Sequence, residues 1–333
     1  MQDQKPIVSI IVPVYNAADT VHIAFDSLYK QTYPNLEIII VNDASTDNSL
    51  HIIQEHAKKL VEHRQYTVRI VSHETNGGVA QARNTALDQA TGEYIYYLDA
   101  DDQIDPDTMT LVVDQALKTQ SDIVGFNWWL TFSKNERKMN QPAFNDPWQA
   151  IQLLLNGKMR WNLWIFLVKR SLYEENGIRF IPQMNMGEDM MVTIKLFSCA
   201  KKVSYLDQAL YHYGQSNADS VSKVISDKNI YEVTQNVAEV EHFLRHSQYA
   251  DRIGNRLELL KLNIKLPLLI SNSTAQYKKW LAWFPESNVF AFQDKNISLR
   301  IRILQFCAIK KNYWLIKLHY YLVIRMIYGL IYK

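Results

Sequence analysis

The chain has 333 residues and 47% of them are apolar, so it can bury the core of a large domain and is not intrinsically disordered. Its formal net charge is +2, but the charge is unevenly distributed along the chain. Residues 295–333 contain eight Lys or Arg and no Asp or Glu. A basic, aromatic end on an otherwise acidic chain indicates an anionic partner, either a membrane surface or a nucleic acid.

Cysteine content and apolar runs bear on the compartment. Cys199 and Cys307 are the two cysteines, too few for a disulfide framework, which favours a reducing compartment. The first apolar run is short and is interrupted by Pro13, unlike a secretory signal. Residues 320–332 are fewer than the ~20 that a spanning helix needs and include Arg325. We therefore expect a cytoplasmic protein, with contact to the inner face of the plasma membrane as an option.

Short β-branched runs alternate with helical patterns over residues 1–126. This alternation predicts an α/β fold of Rossmann-like type, with a mostly parallel sheet covered by helices on both faces. The predicted strands are residues 7–14, 36–42, 67–72, 93–98 and 122–126. The predicted helices are residues 20–30, 50–61, 80–90, one with Pro106 in its first turn, and 190–200.

The pattern changes late in the chain, where residues after Ser226 become helical and basic without a Gly/Ser-rich linker. Residues 126–213 are irregular and rich in tryptophan, and we assign them to the same domain as the sheet. We therefore predict one α/β domain over residues 1–226 and a helical C-terminal region over residues 227–333.

Ligands of an open parallel sheet bind beyond the carboxyl ends of its strands. Four predicted strand ends are followed by polar runs, which we expect to lie along one edge. They are residues 13–16, 42–47, 74–78 and 99–102.

Three carboxylates lie close together in the run Asp99-Ala100-Asp101-Asp102. They stay ionised together when a cation compensates their repulsion, and oxygen ligands with open positions suit Mg²⁺ or Mn²⁺ bound jointly to phosphates. In the alternative interpretation Asp101 and Asp102 cap the next helix. Asp105 is better placed for that task, so a metal site is favoured.

Two further polar segments allow more than one interpretation. Ser45 or Asp47 can cap the second helix, which leaves Asp43 free to accept a hydrogen bond from a base nitrogen. Gly77 and Gly78 predict a turn into the helix that carries Arg83. The Arg83 guanidinium can bind phosphate, form a structural ion pair or remain exposed.

Two late features are weaker signals. Glu188 and Asp189 precede the predicted helix 190–200, where carboxylates commonly cap and complement the helix dipole. His212 lies between two tyrosines, and a single histidine is more often structural than a metal or phosphate ligand. Neither a Gly-x-Gly-x-x-Gly fingerprint nor a P-loop occurs in the chain.

Taken together, these segments resemble the family 2 glycosyltransferases of the GT-A fold, which move a sugar from a nucleotide diphosphate to an acceptor. The resemblance covers roughly residues 6–215, and its specificity lies in the order and spacing of the motifs. The motifs stand at residues 8–16, 41–47, 76–84, 97–102 and 187–189.

The resemblance implies specific roles. Pro13 and Tyr15 line the base pocket, Asp43 hydrogen-bonds the base, and Asp99-Ala100-Asp101 is the Asp-x-Asp element beside ribose and metal. Asp101 is the expected direct ligand of Mn²⁺ or Mg²⁺, Asp99 a second, and Asp102 and His212 less favoured ones. Asp189 deprotonates the acceptor hydroxyl with Glu188 in support, the sugar inverts, and the metal with Arg83 neutralises the leaving diphosphate.

The implied activity is that of a metal-dependent, inverting hexosyltransferase. We expect a UDP-sugar donor and a saccharide or lipid-linked saccharide acceptor in cell-surface polysaccharide synthesis. The alternatives are a nucleotidyltransferase that makes an activated sugar and a non-catalytic protein that binds sugar or nucleic acid. Residues 13–18 lack the Gly-rich basic loop of the first alternative, and we expect no nucleic-acid partner.

The tail lies outside the resemblance and allows two interpretations. It is either an amphipathic helix in a membrane interface or an ordinary packing helix or dimer contact. The basic residues of this segment are Lys310, Lys311, Lys317 and Arg325, and the apolar ones are Tyr313, Trp314, Leu315, Leu318, Tyr321, Leu322, Ile324 and Tyr328.

Overall fold

The computed structural model describes residues 5–214, 225–293, 295 and 297–328. Residues 329–333, including the basic Lys333, lie outside this description. The strands within it are β1 Val8–Val14, β2 Leu36–Asn42, β3 Thr67–Ser72, β4 Tyr94–Tyr97, β5 Gln103–Ile104, β6 Ile123–Thr131, β7 Glu136–Met139, β8 Phe166–Lys169 and β9 Val203–Gly214.

Helices cover the sheet and make up the C-terminal region. They are α1 Val21–Tyr29, α2 Ser49–Arg64, α3 Val79–Gln89, α4 Thr108–Thr119, α5 Pro147–Leu155, α6 Arg170–Glu175, α7 Glu188–Cys199, α8 Asp227–Arg245, α9 Ala250–Ile253, α10 Arg256–Lys265, α11 Thr274–Ala282, α12 Leu299–Ile309 and α13 Tyr313–His319. Short 3-10 turns occur at Leu163–Ile165, Leu266–Leu269 and Pro285–Phe290, and a π-helical segment, Tyr320–Tyr328, follows α13.

The strands of the described residues form one sheet in the order β3-β2-β1-β4-β8-β6-β9-β5, with β7 paired to β6. Strands β1 to β4 are mutually parallel, as predicted from their near-continuous apolar character. The rest of the sheet is mixed, because β8 runs antiparallel to both β4 and β6. The α/β class is confirmed, with parallel pairing among β1 to β4 and again between β6 and β9.

Two predicted helix starts are wrong by about half a turn. The helix expected to have Pro106 in its first turn begins at Thr108, and the Asp107 side chain before it makes no capping bond. The Asp105 side chain does not cap this helix, because it is bonded to His212. Helix α7 begins at Glu188, so Glu188 and Asp189 form its first turn. Gly187, with φ of +82°, lets the chain turn sharply there.

The C-terminal region begins with a capping box, in which the Ser226 hydroxyl accepts the N–H of Asn229. Helix α8 packs on α7, and one apolar core continues from the sheet into α8 through Val233, Val237 and Val240. The division at residue 226 stays a prediction. Within the described ranges no helix combines the length and apolar character needed to cross a membrane.

The predicted turn before α3 is confirmed, and it is tightly packed. Gly78 has φ of +83°, and a Cβ there would lie 2.2 Å from Nδ2 of Asn185. The Asn185 side chain cannot move away freely, because its Oδ1 accepts the N–H of Ala80 at 3.0 Å. The turn therefore joins the start of α3 to the loop before α7.

We expect Gly78→Ala to lower the free energy of unfolding by about 2–3 kcal/mol, from backbone strain plus displacement of Asn185. Gly177→Ala is the matched control, since Gly177 also has positive φ but a methyl group added to its Cα would have no neighbouring atom within 4 Å. It should lose only about 1 kcal/mol. Urea denaturation of both variants measures the difference, and equal losses would contradict the role of Asn185.

Candidate active site

The carboxyl ends of β1, β2 and β4 lie side by side. The register pairs Val14 with Asn42 and Ile11 with Tyr97, so the loops after these strands share one edge of the sheet. This is the edge at which parallel sheets bind ligands. The start of α7 reaches the same place, because Arg83 of α3 contacts its first two residues.

The loops after β1 and β2 are bonded to each other. The N–H of Asn16 donates to the Ser45 hydroxyl at 3.0 Å, and the N–H of Thr46 donates to Oδ1 of Asn16 at 2.8 Å. Tyr15 is 51% exposed on this loop pair, and Pro13 is partly buried. An exposed ring on a fixed loop is suited to stack on a base, so both residues remain predicted base contacts.

Ser45 and Asp47, the two expected caps of α2, both bond to the loop after β1. Of the two, Asp47 also bonds to the start of α2. Oδ1 of Asp47 accepts the N–H of Ser49 at 3.0 Å, while Oδ2 accepts the N–H of Ala18 at 2.9 Å. The Ser45 hydroxyl is the acceptor for Asn16 described above, so it does not cap α2. The polar run after β2 therefore stabilises the predicted base pocket by cross-loop bonds.

Asp43 is buried and already holds the turn before α3. Its Oδ1 accepts the N–H of Gly77 at 2.9 Å and lies 2.7 Å from Nδ1 of His73. Its Oδ2 accepts the N–H of Gly78 at 2.8 Å. A carboxylate has about four acceptor positions, so about one remains for a base N–H. His73 is a partner that no sequence motif indicated.

The acidic run divides into members with different surroundings. Asp102 is buried, and its two oxygens accept the Tyr211 hydroxyl and the Gly214 N–H, each at 2.7 Å. Asp102 therefore ties the run to the end of β9, and burial raises its pKa well above the ordinary value. Asp99 and Asp101 are only partly buried at the sheet edge.

Arg83 is a buried ion-pair residue, one of the interpretations that the sequence left open. Its Nη1 lies 2.6 Å from Oδ1 of Asp189 and 3.0 Å from Oε1 of Glu188. Its Nη2 lies 3.4 Å from Oδ1 of Asp99. Burial alone would lower its pKa, but Asp189, Asp99 and Glu188 together raise it. One guanidinium therefore joins the Asp-x-Asp run to the start of α7.

The carboxyl groups around Arg83 are too crowded to ionise independently. Burial raises the pKa of Glu188 to about 8, with a further rise from Asp189 and an opposing effect of Arg83. Burial likewise raises the pKa of Asp99 to about 6, again opposed by Arg83. At neutral pH Glu188 is therefore a neutral acid that can donate a hydrogen bond to its neighbour Asp189.

Helix α8 holds the loop that precedes α7 and therefore leads into Asp189. Oε2 of Glu232 accepts the N–H of Asn185 at 3.1 Å, and Nδ2 of Asn236 donates to the carbonyl of Met186 at 2.9 Å. Both side chains are buried in α8. The C-terminal region thus fixes part of the site, and the sequence did not reveal this because these residues match no local motif.

His212 is held between two acidic side chains. Its Nδ1 lies 2.8 Å from Glu136 and its Nε2 3.0 Å from Asp105, so both ring nitrogens are engaged. Burial lowers its pKa, but the hydrogen bonds to Asp105 and Glu136 outweigh that effect and raise it. In this arrangement neither ring nitrogen is available to coordinate a metal. The Asp105 side chain bonds to His212 and does not cap a helix.

A column of aromatic rings supports the acidic run. The Trp164 ring stacks on Tyr211 at 4.2 Å and on Tyr213 at 5.4 Å between centroids. The Tyr211 hydroxyl, held in this column, donates to Asp102 and accepts the N–H of Asp99 at 3.3 Å. The stacked rings thereby fix the positions of Asp99 and Asp102. The number of tryptophans in the sequence does not reveal that Trp164 is the one that stacks here.

No group of three or more His, Cys, Asp or Glu side chains in the described residues has the arrangement of an all-protein metal site. Mg²⁺ and Mn²⁺ in phosphate-binding sites commonly take one or two carboxylates and complete their shell with phosphates and water. Asp99 and Asp101, partly exposed at the sheet edge, fit that requirement. The donor set is therefore suited to a metal shared with a diphosphate.

Comparison with known proteins identifies the family. The model of Glycosyl transferase family 2 matches residues 9–193, more than half of the chain. The chain is 30% identical to the uncharacterized glycosyltransferase EpsJ of Bacillus subtilis (strain 168) over 279 residues, which cover 81% of this chain and 79% of EpsJ.

Two solved structures have a similar fold. The crystal structure of S. aureus TarS 1–349 in complex with UDP-GlcNAc matches with a TM-score of 0.68 and 20% identity, covering 94% of this chain and 91% of that chain. The mannosyltransferase PcManGT from Pyrobaculum calidifontis, in complex with GDP-Man and Mn²⁺, matches with a TM-score of 0.53 and 19% identity, covering 94% and 88%. The chain is therefore a glycosyltransferase that belongs to glycosyl transferase family 2 and has the GT-A fold.

Proposed function

We propose that the chain transfers a sugar from a UDP-sugar to a hydroxyl of a saccharide or lipid-linked saccharide, with inversion and with Mn²⁺ or Mg²⁺ as cofactor. The observation that carries this proposal is the Arg83 guanidinium, which joins Asp99 of the donor side to Asp189 of the acceptor side. The carboxyl groups that we assign to the general base and to the metal therefore contact the same guanidinium. The acceptor belongs to cell-surface polysaccharide synthesis.

The names of similar proteins support the donor and cofactor. TarS was crystallised with UDP-GlcNAc and PcManGT with GDP-Man and Mn²⁺. TarS of Staphylococcus aureus is named a poly(ribitol-phosphate) β-N-acetylglucosaminyltransferase. In this chain we assign Pro13, Tyr15 and Asp43 to the base, and Asp99 with Asp101 to ribose and metal. A metal bound there would neutralise charge on the departing diphosphate.

We assign the general base to Asp189. Its carboxylate would take the proton of the acceptor hydroxyl as that oxygen attacks the anomeric carbon on the face opposite the diphosphate, which inverts the configuration. Arg83 holds one oxygen of Asp189 in place at 2.6 Å. Glu188 supports the base as a neutral hydrogen-bond donor, which avoids a second negative charge beside it.

Asp189→Asn should bind UDP as the native protein does but transfer sugar about 10²- to 10⁴-fold more slowly, because an amide cannot accept the proton. UDP titration and a sugar-transfer assay test the two parts separately. Asp88→Asn, at an exposed aspartate of α3, is the control and should retain full activity. Normal turnover of Asp189→Asn would remove Asp189 as the base.

The raised pKa of Glu188 predicts a pH-dependent stability. Between its ordinary value of 4.5 and about 8 the folded chain binds a proton that the unfolded chain has released. The free energy of unfolding should therefore fall as pH rises across this window. Glu188→Gln removes the titration, so its curve from pH 5 to 9 should be flatter than that of the native protein.

Urea midpoints measured at each pH test this prediction. The control is Glu174→Gln, at a half-exposed glutamate paired with Arg170 on the surface. It should keep the native pH dependence. If the native and Glu188→Gln curves run parallel over the window, Glu188 does not titrate as expected.

Mn²⁺ should increase the affinity for UDP through Asp101. In Asp101→Asn this increase in affinity should be at least about tenfold smaller. The reason is that the variant loses one charged contact to the metal, worth ~1.5 kcal/mol. Asp107→Asn, at an exposed aspartate just beyond the run, is the control. Calorimetric titration of UDP with and without Mn²⁺ gives the result, and UDP binding by the native protein that ignores Mn²⁺ would refute the cofactor assignment.

We also propose a cytoplasmic location, peripheral on the inner face of the plasma membrane, through the C-terminal region. The support is the charge of this region, which has eight basic and no acidic residues over 295–333. A lipid-linked acceptor would lie in the membrane, so an enzyme bound at the membrane surface would be close to it.

A further inference from the structure

Helix α12 presents an apolar stripe to solvent. Leu299, Ile303 and Phe306 are 55%, 47% and 45% exposed and are spaced by four and three residues, which places them on one side of the helix. The other side is packed into the protein. Phe292, 53% exposed, adds to the stripe because its ring centroid lies 6.0 Å from that of Phe306. We name Phe292, Leu299, Ile303 and Phe306 the apolar ridge.

Basic side chains flank the apolar ridge. The Arg302 guanidinium lies 5.8 Å from the Phe292 ring, and the Lys310 ammonium lies 5.7 Å from the Phe306 ring. Lys310 and Lys311 lie at the end of α12, and Lys311 is exposed. Apolar side chains bordered by Lys and Arg, with no acidic residue among 295–333, are typical of a helix that lies in a membrane interface.

A second stripe follows on α13 and the π-helical segment. Trp314 is 66% exposed, and Leu318, Tyr321 and Leu322 are each 46% exposed. Their spacing of four, three and one residues keeps them on one side of a helix. Tryptophan and tyrosine favour the headgroup level of a bilayer. The sequence predicted this stripe, whereas the apolar ridge on α12 is evident only in the structure.

The charges around the apolar ridge indicate which partner fits it: a second copy of the chain, a nucleic acid or a lipid bilayer. A second copy joined through the same face would bring together two surfaces that each carry Arg302, Lys310 and Lys311, and like charges oppose such contact. A nucleic acid would meet the aliphatic side chains of Leu299 and Ile303, which neither stack on bases nor bond to phosphate. An anionic bilayer satisfies both the apolar and the basic groups.

We propose that the apolar ridge inserts into the headgroup region of a bilayer rich in anionic lipid, with the flanking Arg and Lys on the lipid phosphates. This inference rests on the proposed membrane location but not on the proposed reaction. It adds α12 as an anchor beside the tail.

Co-sedimentation of the full chain with vesicles tests the proposal. Native protein should bind phosphatidylglycerol vesicles at least about tenfold more tightly than phosphatidylcholine vesicles. The double variant Ile303→Ser, Phe306→Ser should lose at least about tenfold on the anionic vesicles, because two exposed apolar side chains are removed. Lys310→Glu with Lys311→Glu should lose a similar amount, and lowering the salt concentration should not restore its binding.

The matched controls lie in the catalytic domain. Val61→Ser with Leu117→Ser removes two apolar side chains that are 47% exposed, like Ile303, and Lys118→Glu reverses an exposed charge. All should bind vesicles like the native protein, and circular dichroism confirms that each variant is folded. Unchanged binding of the α12 variants, or equal binding of both vesicle types, would overturn the proposal.

Two further readouts separate the other outcomes. A native dimer that the α12 variants convert to a monomer, seen by light scattering, would assign the apolar ridge to a second copy and overturn the lipid proposal. UDP binding by the α12 variants should equal that of the native protein. A chain that binds vesicles but no nucleotide would leave this inference intact and refute the proposed reaction alone.

Discussion

The buried guanidinium of Arg83 contacts Asp99, Glu188 and Asp189, which come from the end of β4 and the start of α7. Without this cation the three carboxyl groups would repel one another in a region with little water. Even with it, Glu188 retains its proton to about pH 8. The charge balance around one side chain therefore determines where the acidic run and the proposed base lie and which groups are ionised.

The surroundings of Arg83 are held by contacts from distant parts of the chain. Asn185 caps the start of α3, while Glu232 of α8 holds the loop of Asn185 from the other side. Tyr211, stacked on Trp164, fixes Asp102 at the far end of the acidic run. Because these partners span residues 80–232, the helical region contributes to the geometry of the site as well as to the proposed membrane contact.

The proposed membrane contact and the proposed chemistry depend on the same region in different ways. Helix α8 faces the site with buried polar side chains, whereas α12 turns exposed apolar side chains to solvent. An acceptor attached to lipid would have to reach Asp189 from the bilayer surface. Placing the anchor on α12 and α13 would bring the enzyme to that surface without using a residue of the site.

The sequence by itself determined the α/β fold, the strands β1 to β4 and the segments that meet at their carboxyl ends, because periodicity and polar strand ends are local signals. Membership of the family follows from the same segments. Only the tertiary structure decided that Arg83 is an ion-pair residue, that Asp105 binds His212 and that Asp43 holds a turn. These roles depend on partners far away in the chain. Burial and charge at such contacts are set by packing, which no local pattern encodes.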